Sequence, residues 1–349
     1  MSAGKAASTH ADAEAAAALL LDEGATSVDA VIGGFLSAAA IDPGALLAPM
    51  TMLVAGVGRG ARCIDGRAIQ PGLGTRRPRG FAPGQPTPDA AFAAVPRSLG
   101  VLALAHTHGA ARPLSSLAKA ASAVARKRGA EGRGRLLTLI GERGARALQQ
   151  GDVSRALLLA AGPTAGGTLV EDDLADPLPS DERAPLLTLA DGTGAALPSF
   201  QGTTSSTRPG DGARRSDHRT AEALVAADVH GTVAALAWSP DPEGVLVPEL
   251  EVRLPRDAAP VLRGVPRVNP GTPRPAALPL LVLTRPSDGW YAALGIGGRP
   301  DVEHAELTLE AGGLASLLER LADVQRGSLA VAVTVARSKV QALRVGGRR

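Results

Sequence analysis

The sequence predicts an α+β protein in which sheets are sandwiched between helical layers. Residues 12–161 carry apolar side chains mostly at helical spacing, interrupted by one strand-like run. Residues 220–349 read as short β-branched and apolar strands separated by turn residues. Between these halves lies the polar stretch QGTTSSTRPGDGARRSDHR, residues 201–219. The expected organisation is therefore a helix-rich half over 1–200, a flexible polar segment over 201–219 and a strand-rich half over 220–349, together forming one domain. A chain of 349 residues that is 45% hydrophobic has ample material for a core. Aromatics make up only 2%, so that core must come from small side chains packed closely.

Taken in order, Asp12 to Glu23 forms a helix that stops at Gly24, where a left-handed C-cap is wanted. Ser27 is expected to cap a second helix over Val28 to Ala40, ended by Asp42-Pro43-Gly44. Met50 to Gly56 reads as a strand with Ala61 to Ile64 as hairpin partner, and Pro71 to Pro88 as a surface loop. Three more helices are predicted over Pro113 to Lys127, Arg135 to Gln149 and Val153 to Ala161. Glu171-Asp172-Asp173 suits the acidic first turn of a helix. Pro177 to Arg219 reads as loop. Strands follow at Ala223 to Ala227, Thr232 to Trp238, Val245 to Val247, Leu278 to Leu283, Tyr291 to Leu294, Ala330 to Val335 and Val340 to Val345, with one helix at Leu314 to Val324.

Several function classes are argued against at this stage. Thirty-seven Lys and Arg against thirty-four Asp and Glu leave a net charge of only +3. The clusters Arg76-Arg77 with Arg79 and Arg126-Lys127-Arg128 are short and lack aromatic neighbours for base stacking, so no nucleic-acid partner is expected. The single cysteine, Cys63, excludes an internal disulfide and sits in an apolar stretch that predicts burial. No run is long enough to span a bilayer and no export signal opens the chain, so a cytoplasmic protein without membrane association is expected. His106 and His108 lack the further ligands a zinc site needs, and Gly162 to Gly167 lacks the Lys-Ser/Thr of a phosphate loop. Neither a metal nor a cofactor is expected.

An ordered set of motifs is informative. Ala7-Ser8-Thr9-His10 precedes an alanine-rich helix, and GATSVDA spans Gly24 to Ala30. Asp65-Gly66-Arg67-Ala68-Ile69-Gln70-Pro71 follows, then Val95-Pro96-Arg97-Ser98-Leu99-Gly100-Val101 with Ala105-His106. Gln150-Gly151-Asp152 and Gly166-Gly167 with Leu169 to Leu174 complete the series. This order resembles the gamma-glutamyltranspeptidase family of N-terminal-nucleophile hydrolases. The resemblance implies a four-layer αββα sandwich, here shortened in the half that forms the family's large subunit, because the stretch from Leu174 to Thr220 is brief.

The resemblance also implies site residues. Arg67 falls on the arginine of the family's D-G-R-E-x-x-P segment, which binds the glutamyl carboxylate; a guanidinium can grip a carboxylate with two parallel hydrogen bonds. The family's T-T-H-x-x-V-x-D segment begins with a threonine that attacks the preceding peptide carbonyl and then serves as nucleophile with its freed amine as base. Counting back from Asp228 puts Ala221 at that position, so Thr220 is the candidate nucleophile only with a one-residue shift. Thr203-Thr204 is a reserve pair. Ser239 falls where the family has a threonine bonded to the nucleophile, Asp241 at the level of a substrate-contacting asparagine, and Asp257 near the acidic pair that fixes the substrate amine. Gly295-Ile296-Gly297-Gly298 resembles the G-S-P-G-G oxyanion segment with one residue fewer, so Gly297 and Gly298 are candidate backbone donors. The family's serine pair is replaced by Ala276-Ala277. Two readings follow: a catalytically degenerate pseudoenzyme that keeps a pocket for a glutamyl or other amino-acid-like small molecule, or an active autoprocessing γ-glutamyl hydrolase, transferase or related amidase built on Thr220.

Overall fold

The computed structural model describes residues 4–76, 78–175, 177–189, 191–198, 220–276, 278–297, 314, 329–336 and 339–346. The first sheet holds β1 (Lys5–Ser8), β2 (Met50–Gly56), β3 (Arg59–Gly66), β4 (Ser180–Arg183), β7 (Glu222–Ala227) and β8 (Thr232–Trp238) in the order β1-β7-β8-β2-β3-β4. The second runs β14-β13-β12-β11-β6-β5, from β5 (Leu186–Thr188), β6 (Gly194–Ala196), β11 (Leu280–Arg285), β12 (Trp290–Gly297), β13 (Leu329–Ala336) and β14 (Lys339–Gly346). All pairings are antiparallel. A small hairpin of β9 (Val245–Val247) and β10 (Val252–Leu254) stands apart.

Strands from both halves of the chain share each sheet, so neither half could close its sheet alone. The helices are α1 (Ala11–Asp22), α2 (Ser27–Ile41), α3 (Ser98–Gly109), α4 (Leu114–Lys127), α5 (Glu131–Arg143), α6 (Gly151–Ala161) and α7 (Glu171–Ala175). They cover one face of the first sheet. Phe35 and Leu36 of α2 join Met50, Met52, Leu224, Leu236 and Trp238 in that core, with Phe35 edge-on to Trp238 at 5.5 Å. Alternation along each strand sends the neighbouring residues the other way. Ala223, Val225, Ala227, Ala235 and Ala237 therefore meet Val282, Tyr291, Ala293, Val331 and Val333 of the second sheet. This inter-sheet layer is made largely of Ala and Val, which explains how a chain so poor in aromatics is fully packed. Cys63 is buried in it. The outer face of the second sheet is also buried, and Leu314 packs against it; the rest of the helix expected over Leu314 to Val324 lies outside the described residues.

The glycine pair of α2 sets how closely this layer approaches its neighbours. A Cβ on Gly33 would strike Leu20 of α1, and one on Gly34 would come 2.6 Å from Leu224 of β7. α2 is thus buried on nearly every side, against α1, the sheet and the other helices.

Several expectations need correction. Thr26, not Ser27, is the N-cap of α2: its hydroxyl accepts from Asp29 N–H at 3.1 Å, while Asp29 accepts from Thr26 N–H at 3.0 Å in a capping box. Pro177 to Arg219 is not wholly loop, because β4, β5 and β6 form within it as short edge additions completed by backbone pairing. β1 and α3 are unheralded in composition. The helix expected over Arg135 to Gln149 instead divides at Gly144, whose φ of 57° ends α5. Residues 201–219, including Thr203 and Thr204, lie outside the described residues. Among the described residues, no helix is long and apolar enough to cross a membrane.

Candidate active site

The registers of the first sheet bring four strand ends into one row. Glu222 at the start of β7 faces Trp238 at the end of β8; Trp238 faces Met50 at the start of β2; Met50 faces Gly66 at the end of β3. Thr220, Ser239 and Arg67 each lie just beyond this row, so the segments singled out in the sequence converge on one end of the sheet. Three inter-strand steps separate the β7 and β3 ends, about 14 Å at the usual strand spacing.

At the β7 end, Thr9 completes the β1 edge: its N–H donates to Ala223 O and its Oγ1 accepts from Ala223 N–H, both at 2.9 Å. Thr9 Oγ1 also donates to the Glu222 carboxylate. Gly295 and Gly297 of β12 press on this corner. A Cβ added to Gly295 would lie 2.6 Å from Ala223 Cβ, and one on Gly297 would lie 2.5 Å from Thr9 Cγ2. The glycine segment and the start of β7 are therefore packed together; Gly298 lies outside the described residues.

Orientation at the start of β7 follows from alternation. Ala223, Val225 and Ala227 face the second sheet, whereas Leu224 and Ala226 face the helices. Continuing the pattern back places Ala221, which is buried, on the inter-sheet side and Thr220, which is exposed, on the other.

At the β3 end, Arg67 makes a two-point pair with Asp65: Nε lies 3.1 Å from both carboxylate oxygens and Nη2 is 2.9 Å from Oδ2. The Asp65 carboxylate also accepts Arg67 N–H at 2.9 Å, fixing the turn. Arg97, at the start of α3, donates from Nε to Arg67 O at 2.7 Å and from Nη1 to Leu178 O at 3.1 Å. Its Nη2 is 3.8 Å from Asp65, buried and without a hydrogen bond. Burial pulls the Arg97 pKa below the ordinary arginine value; Asp65 opposes this and Arg67 adds to it. Two guanidiniums thus flank one carboxylate. Sequence reasoning missed Arg97, because its place beside Asp65 arises only where the start of α3 meets the end of β3.

Asp257 joins the same neighbourhood. Arg274 N–H donates to Ala68 O, next to Arg67, while Arg274 Nε donates to Asp257 O, each at 2.8 Å. Ala68, Ala94 and Ala258 form a small buried cluster beneath them. Asp241 is buried and its carboxylate accepts the backbone N–H of Glu243 at 3.1 Å and of Arg256 at 2.9 Å, so it ties the chain after β8 to the segment that carries Asp257. Ser239 is buried and its N–H donates to Pro49 O at 3.0 Å. His106 and His108 do not converge: Nε2 of His106 meets Arg112 O, and that of His108 meets Asp181.

No protein-family model and no curated protein matches the chain. Solved structures do. LmbA2991 with one threonine replaced by alanine aligns with a TM-score of 0.68 at 15% identity, over 99% of this chain and 98% of that one. Cephalosporin acylase from Bacillus halodurans aligns with a TM-score of 0.60 at 15% identity, over 81% and 75%. The chain shares their fold. A gamma-glutamyltranspeptidase from Pseudomonas nitroreducens is also among the structural neighbours, at 18% identity, TM-score 0.44 and coverage of 54% and 68%. The mixed helix and sheet architecture agrees with the α+β class expected from the sequence.

Proposed function

We propose that the protein is a shortened gamma-glutamyltranspeptidase-like member of the N-terminal-nucleophile hydrolases, with the four-layer αββα sandwich, that has lost self-cleavage and retains a pocket for a glutamyl or similar amino-acid carboxylate. The observation that carries this reading is the side occupied by Ala221. Strand alternation puts it, buried, on the inter-sheet side, two residues before the Ala223 on which Gly295 packs, and it has no hydroxyl to attack a carbonyl. Thr220 has the hydroxyl but the opposite strand phase. The pocket would draw on Arg67, oriented by Asp65, with Asp257 on the adjoining segment for an ammonium and Asp241 holding that segment in place. Ser239 and the backbone of Gly297 and Gly298 would be relics of the nucleophile's surroundings.

Isothermal titration with L-glutamate and a γ-glutamyl dipeptide tests the pocket. Saturable binding that falls at least tenfold in Arg67→Ala is expected; equal affinity in the variant would remove Arg67 from the site.

A second reading, an active hydrolase or transferase maturing at Thr220, draws on that residue's exposure at the head of β7. Its hydroxyl would attack the Arg219 carbonyl, the peptide C–N bond would break to leave an ester and a free amine, and water would release the ester. Cleavage there divides the 349-residue chain into pieces of 219 and 130 residues, visible on a denaturing gel.

A further inference from the structure

Away from that row, near the tip of the β2–β3 hairpin, a cleft of about 310 Å³ opens between α3 and the edge of the first sheet. Val54, Ala55 and Gly60 contribute to its lining with His108 of α3, and Arg62 and Arg183 bring positive charge to it from β3 and β4. Arg62 and Arg183 are direct partners in the antiparallel β3–β4 register. Like charges directly opposite on a sheet repel, so an anion beside them stabilises the pair.

Asp181 supplies only part of it. Two residues before Arg183 and so on the same face, it accepts Arg62 Nε at 2.9 Å on Oδ1, with Arg62 Nη2 at 2.7 Å, and meets His108 Nε2 at 2.6 Å through Oδ2. Both oxygens are thereby engaged. Arg183 has no carboxylate within 4.0 Å among the described residues, and one positive charge is left uncompensated. Gly60 lies alongside it, since a Cβ there would sit in van der Waals contact with Arg183 Nε at 3.4 Å.

We infer that this cleft binds a phosphate dianion, free or as the monoester of a small molecule. The Arg183 guanidinium offers the planar fork that phosphate oxygens accept, and Arg62 opposite it adds positive charge, which favours a dianion over a singly charged carboxylate. The volume exceeds what the oxyanion alone needs and leaves room for an organic substituent. The site is independent of Arg67 and of any reaction at the head of β7.

Titration of the full chain with inorganic phosphate, glycerol phosphate and acetate at fixed ionic strength tests it. Saturable binding of one or both phosphates, with acetate at least tenfold weaker, is expected; tighter binding of glycerol phosphate would assign the site to monoesters, and tighter inorganic phosphate to the free ion. Arg183→Gln should lower the affinity at least tenfold with an unchanged circular dichroism spectrum, since Arg183 is exposed on an edge strand. Arg183→Lys should fall between, keeping charge without the fork. Absence of saturable phosphate binding, equal binding of acetate, or unaltered affinity in Arg183→Gln would each overturn the assignment.

Discussion

Asp228 at the end of β7 accepts both the backbone N–H and the hydroxyl of Ser27, each at 3.0 Å, at the start of α2. Its other oxygen accepts the N–H groups of His230 and Thr232 at 3.0 and 3.1 Å in the turn toward β8. Two motifs that are two hundred residues apart in the chain, GATSVDA and the aspartate of the β7 segment, are thus one structural joint. The carboxylate also sits at the positive end of α2, where a negative charge is favoured.

Asp228→Ala leaves three N–H groups and a hydroxyl without an acceptor, the N–H and hydroxyl of Ser27 being buried. Each such loss costs roughly 1–3 kcal/mol, so a destabilisation of about 3 kcal/mol or more is expected from urea unfolding. A value below about 1 kcal/mol would show the joint to be dispensable.

This joint also marks what could be read in the sequence. Asp228 and the α2 segment were located through motif order, and β2, β7 and β8 through apolar runs bounded by turns, because burial on both faces leaves an uninterrupted apolar stretch. β4, β5 and β6 gave no such signal: they are three or four residues long, partly exposed, and exist through pairing with strands distant in sequence. Ser27 looked like a cap because its residue type favours that position, yet its hydroxyl is taken by Asp228 and Thr26 does the capping. At the site, motif order singled out Arg67, which lies just beyond the end of β3 in a two-point pair with Asp65. The coupling of Arg67 to Arg97 through Asp65 depends on the approach of α3 to β3, which no local pattern encodes.

Loss of the hydroxyl at Ala221 predicts a single chain. Purified protein should run intact at 35.2 kDa, and Thr220→Ala should leave its mass spectrum otherwise unchanged. Appearance of a fragment beginning with Thr220, abolished in that variant, would restore the hydrolase reading.

Two aspartates should respond oppositely to acid. Asp181 loses some hydration by partial burial, but hydrogen bonds from His108 and Arg62 outweigh this and hold its carboxyl below 3.8. A depressed folded-state pKa stabilises the fold above the unfolded value, and the benefit is lost as pH falls through the lower folded value. Asp173 is the reverse: burial raises its pKa above 3.8 despite backbone N–H groups of Leu73, Gly72 and Val170 and with a small push from Asp172. In its window, from 3.8 up to the raised value, stability falls as pH rises. Thermal melts from pH 2 to 6 should therefore show a shallower acid-side loss in Asp181→Asn than in the parent. An identical slope would mean that the His108 and Arg62 bonds do not survive in solution.

The corner where β12 meets β7 offers the sharpest steric test. Gly295 is opposite Ala223 with no room for a methyl, and Gly297 is opposite Thr9, whose hydroxyl is already committed to Ala223 and Glu222. Neither glycine has a positive φ, so backbone strain is not the reason for glycine here; close approach of the two sheets is. A methyl at either position must push the sheets apart or displace the Thr9 edge of β1, and such overpacking typically costs about 1–3 kcal/mol. Gly295→Ala meets a backbone-anchored Cβ that cannot rotate away, whereas Gly297→Ala meets the Thr9 side chain, which can turn at the expense of its hydrogen bonds. Gly295→Ala should therefore be the more destabilising in chemical unfolding. Pairing Gly295→Ala with Ala223→Gly should recover most of the loss, because the double change removes the methyl it would strike; failure of that rescue would place the clash elsewhere and separate the glycines' packing role from the corner described.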